Sequence, residues 1–197
     1  MKPLIALLTA LLTACSAAPP VAPAGDYRGD GFVVAAPSSS GWRVGSATAD
    51  AVVFHKRFAG SSGNDAVLVS AGVLADLSAP APAASALADS TRRLLQTRLS
   101  DLRFELIDLK VSEGTLADAP CARYDAVQVE RYDPDSTEPR REYAHTGWFC
   151  LLPGGQHWRQ AYATSVYPRI QGPPVSSAPR DEIAAFFAGI RWNPPSR

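Results

Sequence analysis

The 197-residue chain carries 19 Lys and Arg against 19 Asp and Glu, so its formal net charge is zero and no basic field points to nucleic acid. Hydrophobic residues make up 46% of it, which excludes a globally disordered chain, and the length suits one domain with a real core behind a leader. No cluster of Lys or Arg offers an anionic lipid surface an electrostatic footprint.

The first fifteen residues read as an export signal. Lys2 supplies the positive flank, Leu4 to Leu12 an apolar core, and Thr13-Ala14 the small residues a signal peptidase needs. That core is well short of the roughly 20 residues that cross a bilayer. Leu12-Thr13-Ala14-Cys15 resembles the lipobox of bacterial lipoproteins. The resemblance implies cleavage before Cys15, acylation of that cysteine with palmitate-type chains, and a membrane anchor made of several chains, which holds where one would not. Ser16 follows, where Asp in such lipoproteins retains the protein at the inner membrane, so the resemblance implies an outer-membrane anchor with the domain in the periplasm. The alternative is an ordinary signal cut near Ala14 or Ala17, releasing a soluble ligand carrier.

Residues 15–26 are small and Pro-rich; they cannot bury enough surface to offset their ordering entropy and read as a tether. A single domain is expected over residues 27–193, with 194–197 a tail. Gly31 to Pro37 is β-prone, Ser38 to Gly41 a turn, and Trp42-Arg43-Val44 extended. Asp50 to Phe58 alternates, with Val52, Phe54, Lys56 and Phe58 on one face and Val53, His55 and Arg57 on the other. Gly60 to Asp65 is a turn cluster, and Ala66 to Leu74 completes an antiparallel meander. Leu87, Leu94, Leu95, Leu99 and Leu102 then fall at helical spacing and predict an amphipathic helix from about Ser85 to Leu102. Strand character returns at Phe104 to Val111, with Ile107, Leu109 and Val111 on one face; Glu113-Gly114 turns and a loop runs to Pro120.

Cys121 to Arg131 and Arg140 to Leu152 are β-prone arms about a polar loop, residues 133–139. Folding them symmetrically sets Arg131 opposite Arg140, and counting back by twos sets Cys121 opposite Cys150. Opposed residues of a non-hydrogen-bonded antiparallel pair have Cα atoms about 4.5 Å apart, within reach of a disulfide. With Cys15 assigned to the anchor, the remaining even pair in an exported chain is expected to be oxidised. The same register sets Arg123 against Trp148, a cation–π pair, and Glu130 against Arg141. Pro153-Gly154-Gly155 turns into a strand from Gln156 to Tyr167, with Trp158, Tyr162, Thr164 and Val166 on one face. A loop to Pro179 precedes a closing helix that carries Ile183, Phe186, Phe187 and Ile190 at i, i+3, i+4, i+7.

Strands, helix, strands, helix predicts an α+β class: a mainly antiparallel sheet with two packed helices. The element order, the Phe32-to-Val44 segment with Pro37 and Trp42, and the closing Phe-Phe helix resemble the Mog1/PsbP-like domains of some bacterial lipoproteins. That fold hosts no single chemistry.

Catalytic and metal patterns are thin. No G-x-S-x-G elbow is present, and Cys121 and Cys150 lack C-x-x-C spacing. His55, His145 and His157 form no H-E-x-x-H motif, and residues 133–138 lack the Gly and spaced Glu of an EF-hand, so no metal or cofactor is expected. Tyr143, Trp148, Trp158 and Tyr162, concentrated on two neighbouring strands, are the candidate binding surface for a glycan, peptide or lipid tail. The expectation is a membrane-anchored, non-catalytic domain that binds or scaffolds an envelope protein or small ligand. A small envelope hydrolase or metal enzyme would instead gather His145, His157 and a carboxylate in one concave site.

Overall fold

The computed structural model describes residues 23–57, 66–77, 84–131, 141–154, 157–169 and 178–192, with the side chains of 75–77, 84–85, 153–154, 157–159, 168–169 and 178–179 excluded. The leader, Cys15, the tether up to residue 22, the turn cluster at 60–65, the hairpin loop at 133–139 and the tail lie outside the described residues.

Among the described residues, ten strands and two helices follow one another. They are β1 (Asp26–Gly29), β2 (Phe32–Ala35), β3 (Trp42–Ala47), β4 (Ala51–Arg57), β5 (Ala66–Leu77) and α1 (Ala84–Arg98), then β6 (Phe104–Leu116), β7 (Ala119–Glu130), β8 (Glu142–Gly154), β9 (His157–Arg169), α2 (Ala178–Ala188) and β10 (Ile190–Trp192). Seven strands form one sheet in the order β3-β4-β5-β9-β8-β7-β6, and β1-β2-β10 form a smaller one. Every pairing is antiparallel. The fold is the α+β class that the element order predicts.

Strand alternation sorts the large sheet into two faces. One presents Val52, Phe54, Val67, Val69, Ala71, Ala161, Ala163, Cys150 and Cys121 to Ile183 and Phe186 of α2 and to Phe32, Val34 and Ile190 of the small sheet. The opposite face sets Ala122, Leu151, Tyr124 and Ala126 beneath Leu87, Ala88 and Leu95 of α1. The amphipathic spacing on α1 and the Phe pair on α2 thus find their apolar faces as expected.

The register about the hairpin is the predicted one. Cys121 lies opposite Cys150 and Arg123 opposite Trp148. The two cysteines are bonded across a Cα separation of 4.0 Å. The Glu130 amide donates to the Arg141 carbonyl at 2.9 Å.

Four local expectations are corrected. The first helix ends at Arg98, and Leu102 is fully exposed at 100%. Asp101 ends it: its carboxylate accepts from the amides of Arg103 and Phe104, which favours a turn over another helical step. Glu113-Gly114 does not turn; β6 continues to Leu116, and Ala117-Asp118 make a two-residue hairpin with both φ values positive, at 47° and 64°. That geometry normally selects Asn-Gly or Asp-Gly, so the sequence carries no such signal there. A β-bulge between Leu106 and Asp108 lifts Ile107 out of alternation and leaves it 59% exposed, while Leu106, Leu109 and Val111 take the α1 side. Ile190 has left the helix and opens β10, where it pairs with Val34.

Candidate functional site

Cross-strand register places the predicted aromatic residues first. Arg123, Trp148, Ala163 and Ala71 form one row across β7, β8, β9 and β5, on the face that α2 covers. Ala122, Phe149, Tyr162 and Gly72 form the next row and point to the α1 side. Tyr143 is on that side as well, opposite Gln128, and it meets Phe104 edge-on at 5.7 Å. Tyr162 is half-buried; burial raises its pKa, and a hydrogen bond with Ser70 pulls the other way. The side chain of Trp158 lies outside the described residues. Tyr143 and Tyr162 therefore do not share a surface with Trp148. Adjacent positions on a strand point to opposite faces, so a cluster along the sequence is split by the pleat.

The α1 side is closed over β6, β7 and β8, where α1 packs, while Leu68 on β5 is 41% exposed on the same side. The Tyr124 hydroxyl hydrogen-bonds Thr164 across β8, and burial pushes its pKa up to about 12. Gly147 permits this span: a Cβ there would stand 2.8 Å from the Tyr124 ring and 2.5 Å from the Ala163 carbonyl oxygen. His145, 8% exposed, shares a 2.8 Å hydrogen bond between its Nε2 and Gln128 Oε1. The Gln128 amide nitrogen donates to the Leu99 carbonyl at 3.1 Å, so its oxygen is the acceptor and His145 Nε2 carries the proton. Burial lowers the His145 pKa to about 4. This histidine is a satisfied member of the core that ties the end of α1 to the sheet. The side chain of His157 lies outside the described residues. Among the described residues, no three His, Cys, Asp or Glu side chains gather into a group that could hold a metal.

The other face is open over β6, β7 and β8. There α2 and the sheet bound a groove of about 480 Å3, within the range of ligand sites. Its floor is two cross-strand rows: Asp108, Val127, Ala144 and Tyr167, then Lys110, Asp125 and Thr146. Arg180, Ile183, Ala184 and Phe187, at i, i+3, i+4 and i+7, make the α2 wall. Lys110 lies 3.5 Å from Asp108, and Arg123 lies 3.6 Å from Asp125. The Arg123 guanidinium also sits over the Trp148 ring at 5.7 Å, which makes Trp148 the one predicted aromatic, among those whose side chains are described, to border the groove. Arg180 has no ion-pair partner among the described residues. Sequence reasoning missed this site because its residues come from separate elements and share no motif. The visible signal was the charged alternation Asp108-x-Lys110 and Arg123-x-Asp125 on strands whose other face is apolar.

Among the described residues, the α+β fold has its α2-side sheet face packed over β4, β5 and part of β9 and open at the groove. Among solved structures, the chain is similar to the Ran-binding protein Mog1p of Saccharomyces cerevisiae, at 9% identity and a TM-score of 0.41 over 82% of this chain and 89% of that one. The chain matches no protein-family model and no curated protein.

Proposed function

We propose that this chain is a lipid-anchored envelope protein whose periplasmic domain binds a partner in the groove between α2 and the β6–β7–β8–β9 floor. The observation that carries the binding reading is the groove: apolar and charged side chains from five elements converge there on a part of the sheet that no other described element covers. The anchor rests on Leu12-Thr13-Ala14-Cys15, and the Cys121–Cys150 bridge suits an oxidising compartment. Attachment at the outer membrane follows from Ser16 under the same reading.

Two measurements test it. Intact mass of the protein from native membranes should show acyl chains on Cys15; an unmodified Cys15 removes the anchor. A photo-crosslinking residue at Thr146, on the groove floor, should trap a discrete adduct in those membranes, and Ala184→Trp, which fills the groove, should abolish it. An adduct indifferent to that substitution removes the groove.

A further inference from the structure

We infer that the occupant of the groove is an extended peptide segment that carries acidic residues alternating with apolar ones. This rests on the binding reading above and names the chemistry of its partner. The floor crosses four strands, three spacings of roughly 4.8 Å, so it is about 14 Å long and matches about four residues of extended chain. Successive side chains of such a segment point to opposite sides. One set meets the apolar row, Val127, Ala144 and Tyr167, and the Phe187 ring; the other meets the charged row.

Charge decides the sign of that second set. Among the described residues, three cations line the groove, Lys110, Arg123 and Arg180, against two carboxylates, Asp108 and Asp125. Each carboxylate already faces one of the cations on its own strand, Lys110 and Arg123 respectively. Arg180 remains, so the groove is complementary to an anion at the α2 end. An arginine fork also matches a carboxylate geometrically. A bare acyl chain fits this floor less well: it would desolvate Asp125 and Thr146 without giving them a hydrogen-bond partner, whereas the backbone amides of a peptide can serve both. Arg, Tyr, Trp and Phe, the residue types enriched at protein interfaces, all stand in or beside the groove as Arg123, Arg180, Tyr167, Trp148 and Phe187.

The test uses the full-length chain in lipid nanodiscs and three fluorescein-labelled octapeptides: Glu-Leu repeats, Gln-Leu repeats and Lys-Leu repeats. Affinity is read by anisotropy and location by amide shifts. The Glu-Leu peptide should bind best, at least about five-fold tighter than the Gln-Leu peptide, and should move the amides of Val127, Ala144, Thr146 and Ala184. Arg180→Glu should weaken it about ten-fold and shift preference towards Lys-Leu, and Phe187→Ala should weaken all three peptides. Both positions are at least partly exposed, and an unchanged circular dichroism spectrum verifies folding. Equal affinity for the three peptides, shifts outside the groove, or no binding overturns the inference. So does dodecanoate if it displaces the peptide and moves the same amides at lower concentration, since the occupant is then an acyl chain. If the peptides fail while the groove-dependent adduct of the crosslinking experiment forms, the peptide assignment falls and the binding reading stands; if both fail, both fall.

Discussion

The two flanks of α2 differ in kind. On one, Glu182 reaches across to β3 and β4, accepting from Trp42 Nε1 at 3.0 Å and pairing with Lys56 Nζ at 2.7 Å, while Ser39 accepts from Trp42 and Lys56. Partial burial pushes the Glu182 pKa up, but hydrogen bonds from Lys56, Ser39 and Trp42 and the Lys56 charge outweigh that, and the net shift is downward. On the other flank, Arg180, Ala184 and Phe187 look over a groove whose charges pair loosely within their own strands. The same eleven-residue helix thus has one side locked by interlinked hydrogen bonds and one side left for a partner. Linked, partly buried polar contacts resist change; exposed pairs on one strand do not.

Breaking the locked flank should cost most. Trp42 is 1% exposed and both packs and donates, so Trp42→Ala is expected to destabilise by about 3–5 kcal/mol in urea unfolding. A loss below about 1 kcal/mol would mean that α2 does not depend on that side.

The disulfide lies on the same face as the floor of the open flank, one row beyond Arg123 and Trp148. Its cysteines are 29 positions apart, so Cys121→Ser with Cys150→Ser should cost about 3–4 kcal/mol in the chain-entropy account, read by the same unfolding measurement without reductant. The fold should survive near neutral pH, because the pairing of β7 with β8 does not need the bridge.

Acid should reach the molecule through the α1 side rather than through either flank of α2. His145 is held neutral in the fold, with its pKa lowered from the ordinary 6.5 to about 4 by burial. Between those values the unfolded chain takes up a proton that the folded one refuses. Stability should therefore fall as pH drops from about 6.5 to about 4, by on the order of 3 kcal/mol at most, and this contribution should flatten below. His145→Gln should reduce the slope in that window; an unchanged slope would assign it to other groups.

The smallest effect belongs to the open flank. Arg180→Ala should change stability by no more than about 0.5 kcal/mol, since an exposed arginine without an ion pair among the described residues loses little. A larger loss in the melt would show that this flank too is structural, and the contrast between the two sides would dissolve.

Much of this architecture is legible residue by residue. The alternation of Val52 and Phe54, the helical spacing of Leu87 and Leu95, and the symmetric count from Arg131 and Arg140 back to Cys121 and Cys150 all depend on local geometry with a fixed period. Errors fall where a local rule is interrupted. The bulge at Ile107 offsets the alternation by one, and the Ala117-Asp118 hairpin uses residues that do not advertise positive φ. At the candidate site, Trp148 lies beside the groove, whereas Tyr143 and Tyr162 belong to the opposite face, because sequence proximity says nothing about which face a neighbouring strand presents until register is known.

Taken alone, the sequence determined the α+β class, the α1 and α2 apolar faces and the Cys121–Cys150 pairing, since each follows from periodicity or from pairing across one hairpin. The tertiary structure decided that β5 meets β9 rather than β6, that β10 joins β2 in a second sheet, and that α2 is closed towards Trp42 and open towards Arg123. Those outcomes depend on contacts between elements far apart in the chain. Which flank of a helix is covered is set by where its distant neighbours end, and no local pattern encodes that.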